Sequence, residues 1–168
     1  MRTRTARDKI VALDLLLRKL SPRRRAGEQI VLTNGCFDLL HVGHVRSLER
    51  AAALGDQLVV AVNLDASVRR AKGVERPVQP ARTRMELVAA LACVDWVVSF
   101  AADTPIRVIR LLKPDVLAKG GDWELDAIAG RAEVEAAGGR VVRLPIVPGI
   151  RSTHLIEKIR RPAPRRKR

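Results

Sequence analysis

The stretch Thr33-Asn34-Gly35-Cys36-Phe37-Asp38-Leu39-Leu40-His41-Val42-Gly43-His44 constrains this chain more than any other part of it. A short apolar run at 29–32 precedes it and reads as a buried strand. The residues at 45–54 follow, with Val45, Leu48 and Ala52 at helical spacing. A strand that passes through a glycine-bearing turn into a helix leaves free backbone N–H groups at the positive helix end, where phosphate binds well. His41 and His44 share one face of the opening turn, and Gly43 between them admits a ligand close to the backbone. A His-x-x-His pair also fits a metal. A structural zinc needs roughly four ligands, yet Cys36, Cys93 and His154 are scattered with no paired spacing. The phosphate reading is the stronger one, and no metal ligand is assigned.

The pattern Gly35-x-Phe37-Asp38-x-x-His41-x-Gly43-His44 resembles the signature of the nucleotidyltransferase superfamily that includes cytidylyltransferases and pantetheine-phosphate adenylyltransferases. Nucleotidyl transfer asks the protein to align two anions and to neutralise charge as it spreads in the transition state. Fixed donors and cations meet that need without a nucleophilic Ser or Cys. Such groups are His41, His44, the amides near Cys36 and Phe37, Lys72, Arg84, Lys119, Arg151 and the Ser152-Thr153 helix start. Mg²⁺ bridging the phosphates is expected, without a dense carboxylate cage. Cys36 and Cys93 read as structural, since the reaction needs no thiolate.

The rest of the chain reads as one α/β domain. Residues 8–20 form an amphipathic helix ended by Ser21-Pro22, and 23–27 a basic linker. Strands are expected at 29–32, 57–63, 95–100, 114–118 and 140–144, and helices at 45–54, 66–70, 80–91 and 104–112. A further helix at 125–137 is weakened by Gly130, and a closing one runs from Ser152-Thr153, which cap it, to about Arg160. Asp65 is expected to cap the helix at 66–70. Alternation at this spacing implies a Rossmann-like, doubly wound five-stranded parallel sheet with helices on both faces. The loops 33–44, 63–65, 119–123 and 148–153 all follow strands and should meet at the carboxyl edge of the sheet. The expected division is a basic N-terminal extension at 1–28, a catalytic domain at 29–160 and a basic tail at 161–168.

The net charge of +14 raises nucleic acid as a partner, and its placement argues against a specific one. Residues 1–28 carry +6, residues 160–168 another +6, and the body between them only +2. Two Phe, two Trp and no Tyr supply a base-stacking platform poorly. Basic ends of this kind bind polyanions in a salt-sensitive, non-specific way. No apolar run approaches the ~20 residues of a membrane span, and no apolar segment follows the N-terminal arginines as in a secretory signal. Neither membrane nor export is expected. Two free thiols fit a reducing cytoplasm.

Beyond the first motif, further blocks follow in order. They are Val62-Asn63-x-Asp65-Ala66-Ser67, Lys72-Gly73, Arg76-Pro77-Val78, Arg84-Met85, the run 93–100, Asp103-Thr104-Pro105, the run 114–123, and Arg151-Ser152-Thr153. Together they resemble the heptose 1-phosphate adenylyltransferases, which occur as half of a bifunctional kinase/adenylyltransferase or alone. The similarity covers residues 8–160. It implies ATP and a sugar 1-phosphate as substrates, ADP-heptose and pyrophosphate as products, a separate sugar kinase upstream, and a homodimer.

Carried over by position, the resemblance gives catalytic roles to His41, His44, Lys72 and Arg151. The nucleotide-binding set it implies is Asn34, Gly35, Cys36, Phe37, Asp38, Gly43, Asn63, Asp65, Arg84, Lys119, Gly120, Gly121, Asp122, Ser152 and Thr153, with Asp38 orienting the loop. Trp123 covers the pocket or plugs the core. Arg84 meets the nucleotide or forms a surface ion pair, and Lys72 meets a phosphate or water. The family's third hydroxyl after Ser152-Thr153 is replaced by His154, and an arginine of related glycerol-phosphate cytidylyltransferases has Ile146 at its place, so Arg151 is the candidate to supply that charge. No side chain distinguishes a purine from a pyrimidine. CTP-dependent transfer to a polyol phosphate such as glycerol 3-phosphate therefore stays as the alternative.

Overall fold

A computed structural model describes residues 4–121, 124–145, 149–150 and 152–160, with the side chains at 125 and 154 excepted. Five strands, β1 (Ile30–Gly35), β2 (Gln57–Asn63), β3 (Trp96–Phe100), β4 (Val116–Gly120) and β5 (Arg140–Leu144), pair in parallel in the order β3-β2-β1-β4-β5. The helices are α1 (Leu13–Arg25), α2 (Val42–Ala52), α3 (Asp65–Lys72), α4 (Ala81–Ala89), α5 (Ile106–Leu112), α6 (Arg131–Ala136) and α7 (Ser152–Arg160).

Strand alternation sorts the core into two layers. Ile30, Leu32, Val59, Ala61 and Val98 pack with Leu16 and Leu20 of α1, Ile109 and Leu112 of α5 and Val134 of α6. Val31, Leu58, Val60, Val62 and Val97 pack with Leu48 and Ala51 of α2 and Val88 of α4. A sheet buried on both faces needs nearly continuous apolar strands, and every residue of β2 is buried. This is the doubly wound sheet expected from the sequence.

Several boundaries move for local reasons. The first helix begins at Leu13, after a 3₁₀ turn at Arg7–Lys9, and runs through Pro22 to Arg25. A proline forfeits one helical hydrogen bond; here the helix is held by Leu16 and Leu20 in the core and closed by the Ala26 amide on the Pro22 and Arg23 carbonyls. The expected linker at 23–27 is largely this last turn. Ile10 adds an isolated parallel bridge to Val97, covering the edge of β3. Gly130 splits the expected 125–137 helix, because it sits at φ +92° between a 3₁₀ turn (Leu125–Ala127) and α6. A Cβ there would meet Ile109 Cδ1 at 2.1 Å, so the glycine lets α6 close on α5.

The order β3-β2-β1-β4-β5 places the topological switch between β1 and β4. Ligands of such sheets bind outside the carboxyl ends of the strands at that point. The phosphate-loop candidate leaves β1 there, beside Lys119 and Gly120 at the end of β4.

Candidate active site

The loop between β1 and α2 is shaped by its own side chains. Phe37 takes the left-handed conformation (φ +48°), a local strain for a residue with a Cβ. Its ring lies over Gly35, where a Cβ would stand 3.0 Å from it, and tilts against His44 with centroids 5.3 Å apart. His41 is the N-cap of α2, and the His44 amide closes on its carbonyl at 2.9 Å. The two imidazoles stack with centroids 3.8 Å apart. Gly43, expected to admit a ligand to the backbone, has another task as well: a Cβ there would lie 2.9 Å from His41 Nδ1. The glycine makes room for the ring.

Burial disfavours the charged form of both histidines. Burial lowers the His41 pKa, while burial, His41 and Lys72 together push His44 down to about 4. Nδ1 of each ring is buried with no hydrogen-bond partner among the described residues. Such atoms are costly unless a ligand satisfies them. The first turn of α2 contains no acidic residue, and neither does that of α7. The positive ends of both helix dipoles are therefore uncompensated where they face one cavity.

That cavity, of about 350 Å³, is lined by His41, Gly43, His44, Ser47, Lys72, Gly120, Gly121, Pro145, Ile150, Ser152 and Thr153. An adjoining one of about 200 Å³ adds Thr33, Asn34, Gly35, Cys36, Phe37 and Asp38 and shares His44, Ser47, Lys72, Gly120 and Ser152. Loops from β1 and β4 and the starts of α2 and α7 thus meet. Ser152 Oγ donates to the Leu39 carbonyl at 3.0 Å, tying α7 to the phosphate loop rather than capping its own helix. Lys119 Nζ donates to Asn34 Oδ1 at 3.0 Å and links the ends of β4 and β1, and burial lowers its pKa. Ser47, one turn beyond His44, was not singled out in the sequence. Its i+3 spacing from His44 is the signal that marks it. Gly120 lets it approach, since a Cβ there would lie 3.0 Å from Ser47 Oγ.

Beneath this floor lie two buried arginines. Arg84, expected at the nucleotide or on the surface, is fully buried. Its guanidinium donates to the Gln79 carbonyl at 2.9 Å, the Asn63 carbonyl at 2.7 Å and Asp65 Oδ1 at 2.7 Å, and also to the Cys36 carbonyl. It clamps the phosphate loop to the end of β2. Asp65 begins α3 without capping it and serves as the anion of this clamp. Asn63 is likewise committed, its side-chain amide donating to Ser67 Oγ at 2.9 Å.

The second arginine, Arg76, carries a role that sequence reasoning did not assign. Its Nε donates to Asp38 Oδ2 at 2.6 Å, while the amides of Val78 and Gln79 donate to Asp38 Oδ1 at 2.8 and 3.0 Å. Burial alone would raise the Asp38 pKa; the two amides and Arg76 outweigh it and hold the carboxyl below its usual range. Asp38 therefore fastens the loop after α3, and with it Lys72, to the phosphate loop. The expectations for Asp122, Trp123, Ile146 and Arg151, for the His154 side chain and for the tail at 161–168 lie outside the described residues.

The histidine shift fixes a pH dependence. Between about 4 and the ordinary 6.5 the unfolded chain holds a proton on His44 that the folded chain does not. Stability from this site is full above 6.5 and is lost as the pH falls toward 4. Urea midpoints measured across that window should fall more steeply for the wild-type chain than for His44→Gln. Equal slopes would contradict the burial of a neutral ring.

With this geometry in view, the profile of the family described as cytidylyltransferase-like matches residues 32–158, well over half of the chain. The chain belongs to the cytidylyltransferase-like family. A curated relative, bifunctional protein HldE of Halorhodospira halophila, is 57% identical over 145 residues, which are 86% of this chain and 30% of that protein. HldE of Shewanella sp. MR-4 is 53% identical over 150 residues, 89% of this chain and 32% of the relative. The chain thus spans about a third of the curated relatives it matches. Among solved structures, a lipopolysaccharide core biosynthesis protein from Thermoplasma volcanium is 30% identical at a TM-score of 0.60, covering 72% of this chain and 98% of that one. Among the described residues, no helix is long and apolar enough to cross a membrane.

Proposed function

We propose that this chain is an adenylyltransferase that moves AMP from ATP to a heptose 1-phosphate, releasing pyrophosphate and forming ADP-heptose. The reaction class rests on one observation: two neutral, stacked imidazoles with unpartnered Nδ1 atoms lie where the starts of α2 and α7 converge. The substrate assignment draws on the ordered motifs from Val62 to Thr153 and on the match to a third of proteins named as bifunctional. The lipopolysaccharide core biosynthesis protein among its structural relatives agrees with a sugar nucleotide as product.

In this reading the sugar phosphate oxygen attacks the α-phosphorus in line. The new P–O bond forms as the bond to the β-phosphate breaks, and pyrophosphate leaves with the electron pair. His41 and His44 donate to the phosphate oxygens as charge spreads over them, helped by the α2 amides, Ser152 and Thr153. Lys72 meets the incoming phosphate and Arg151 adds a cation. Anion binding raises the pKa of both imidazoles, so the site takes up protons as triphosphate binds.

Mg²⁺ fits as a passenger of the triphosphate. Among the described residues no cluster of His, Cys, Asp and Glu could cage it, and Asp38 and Asp65 are already committed to Arg76 and Arg84. Bound to the phosphates, it neutralises charge on the leaving group. The same reading carries a cytoplasmic location, a separate sugar kinase supplying the acceptor, and a homodimer.

Pyrophosphate release, measured for ATP and CTP against heptose 1-phosphate, other sugar 1-phosphates and glycerol 3-phosphate, tests the assignment. Turnover is expected with ATP and heptose 1-phosphate. Turnover confined to CTP and glycerol 3-phosphate overturns it.

A further inference from the structure

A second hollow, of about 390 Å³, lies between the loop after α3 and the outer face of α7. Lys72, Gly73, Val74, Glu75, Arg76, Thr153, Ile156, Glu157 and Arg160 line it. It shares Lys72 and Thr153 with the main cavity, so a molecule whose phosphate rests at Lys72 can extend into it. Its volume falls within the ~300–1,000 Å³ typical of small-ligand sites.

The lining chemistry selects the occupant. Cationic donors (Lys72, Arg76, Arg160) are interspersed with carboxylate acceptors (Glu75, Glu157), and among the described residues no aromatic ring lines it. A nucleobase favours a flat apolar slot. A chain of vicinal hydroxyls, each both donor and acceptor, matches alternating ions instead. Arg76 gives the independent sign of a ligand. Its side chain is nine-tenths buried, Asp38 occupies only Nε, and Nη2 is buried with no partner among the described residues. A buried guanidinium nitrogen left unpaired calls for an explanation. The Arg160–Glu75 ion pair, 2.7 Å long and exposed on both sides, spans from α7 to the loop. Exposed pairs of this kind open at little cost.

We propose that this second hollow seats the hydroxylated body of the acceptor sugar phosphate, with the Arg76 guanidinium as its fixed contact. The proposal rests on the adenylyltransferase reading above. It makes Asp38 the hinge between the two half-sites, since its carboxylate holds Arg76 on one side and orders the phosphate loop on the other.

The test is a pair of variants read by separate binding and turnover assays. Arg76→Lys keeps a cation for Asp38 but removes the guanidinium fork. Ile156→Trp fills the hollow from α7 and leaves Arg76 alone, which covers the case in which the first variant does not fold. Calorimetry with heptose 1-phosphate, in the presence of a non-hydrolysable ATP analogue, is expected to show sugar-phosphate affinity reduced tenfold or more in both, with affinity for the analogue and melting temperature unchanged in Ile156→Trp. In turnover the loss should fall on the acceptor KM. Three outcomes overturn the proposal: unchanged acceptor affinity, an equal loss of analogue affinity, or no sugar-phosphate binding by the wild-type chain. Sugar-phosphate binding that responds to both variants without any turnover would support the hollow and sink the reaction instead.

Discussion

Alanine at both position 41 and position 44 is expected to reduce kcat/KM by at least about 10³-fold, with the fold intact. Removing one preorganised donor to developing charge costs on the order of 10²–10³ in rate, and the two rings act as a unit, so their losses do not simply add. The rings stack at 3.8 Å on the first turn of α2 and carry two buried, unpartnered Nδ1 atoms. Removing them deletes no hydrogen bond made by those atoms in the unliganded chain. The melting temperature should therefore stay within a few degrees of wild type while single-turnover pyrophosphate release collapses. A double variant that turns over normally in a melted-and-refolded control would sink the assignment of the site.

The second large effect falls on stability. Arg84→Met should destabilise the fold by about 3–5 kcal/mol, the usual consequence of breaking a buried, hydrogen-bonded ion pair from one side. For a domain of this size that corresponds to roughly 10 °C in melting temperature. The variant strands the carbonyls of Cys36, Asn63 and Gln79 and leaves Asp65 without its cation. Arg84→Lys should recover little, because one ammonium cannot reach four acceptors arranged around a planar fork. Thermal melts of both variants check this. A variant that keeps its melting temperature but loses ATP binding would return Arg84 to the role in nucleotide contact that its sequence position implied.

Much of the fold was legible before any coordinates. Runs such as Leu58-Val59-Val60-Ala61-Val62 have the β-branched, two-sided apolar character that only a covered parallel strand requires, and 57–63 and 140–144 coincide with β2 and β5. The course of the 33–44 loop was legible for the same reason, since the glycines and the strand–helix junction point one way. What escaped is whatever depends on distant partners. Nothing near Pro22 announces that Leu16 and Leu20 hold the helix through it, nor does Gly130 announce Ile109 across the groove.

Arg84 and Arg76 show the same limit within the site. Arg84 was expected at the nucleotide or in a surface ion pair and Arg76 was given no role of its own, yet each is buried beside an acid distant in sequence, Asp65 or Asp38. Ser47 escaped for a simpler reason: its i+3 spacing from His44 gains meaning only once the helix face toward the cavity is known.

The placement of α7 has a consequence for how the protein comes into being. One wall of the main cavity belongs to the last helix described, docked on the loop after β1 through Ser152 and the Leu39 carbonyl. A chain that has formed its sheet through β5 possesses all five described strands and both imidazoles, yet that cavity is still open on one side. The two halves of that cavity are therefore joined only when α7 docks, whatever the state of the sheet beneath it.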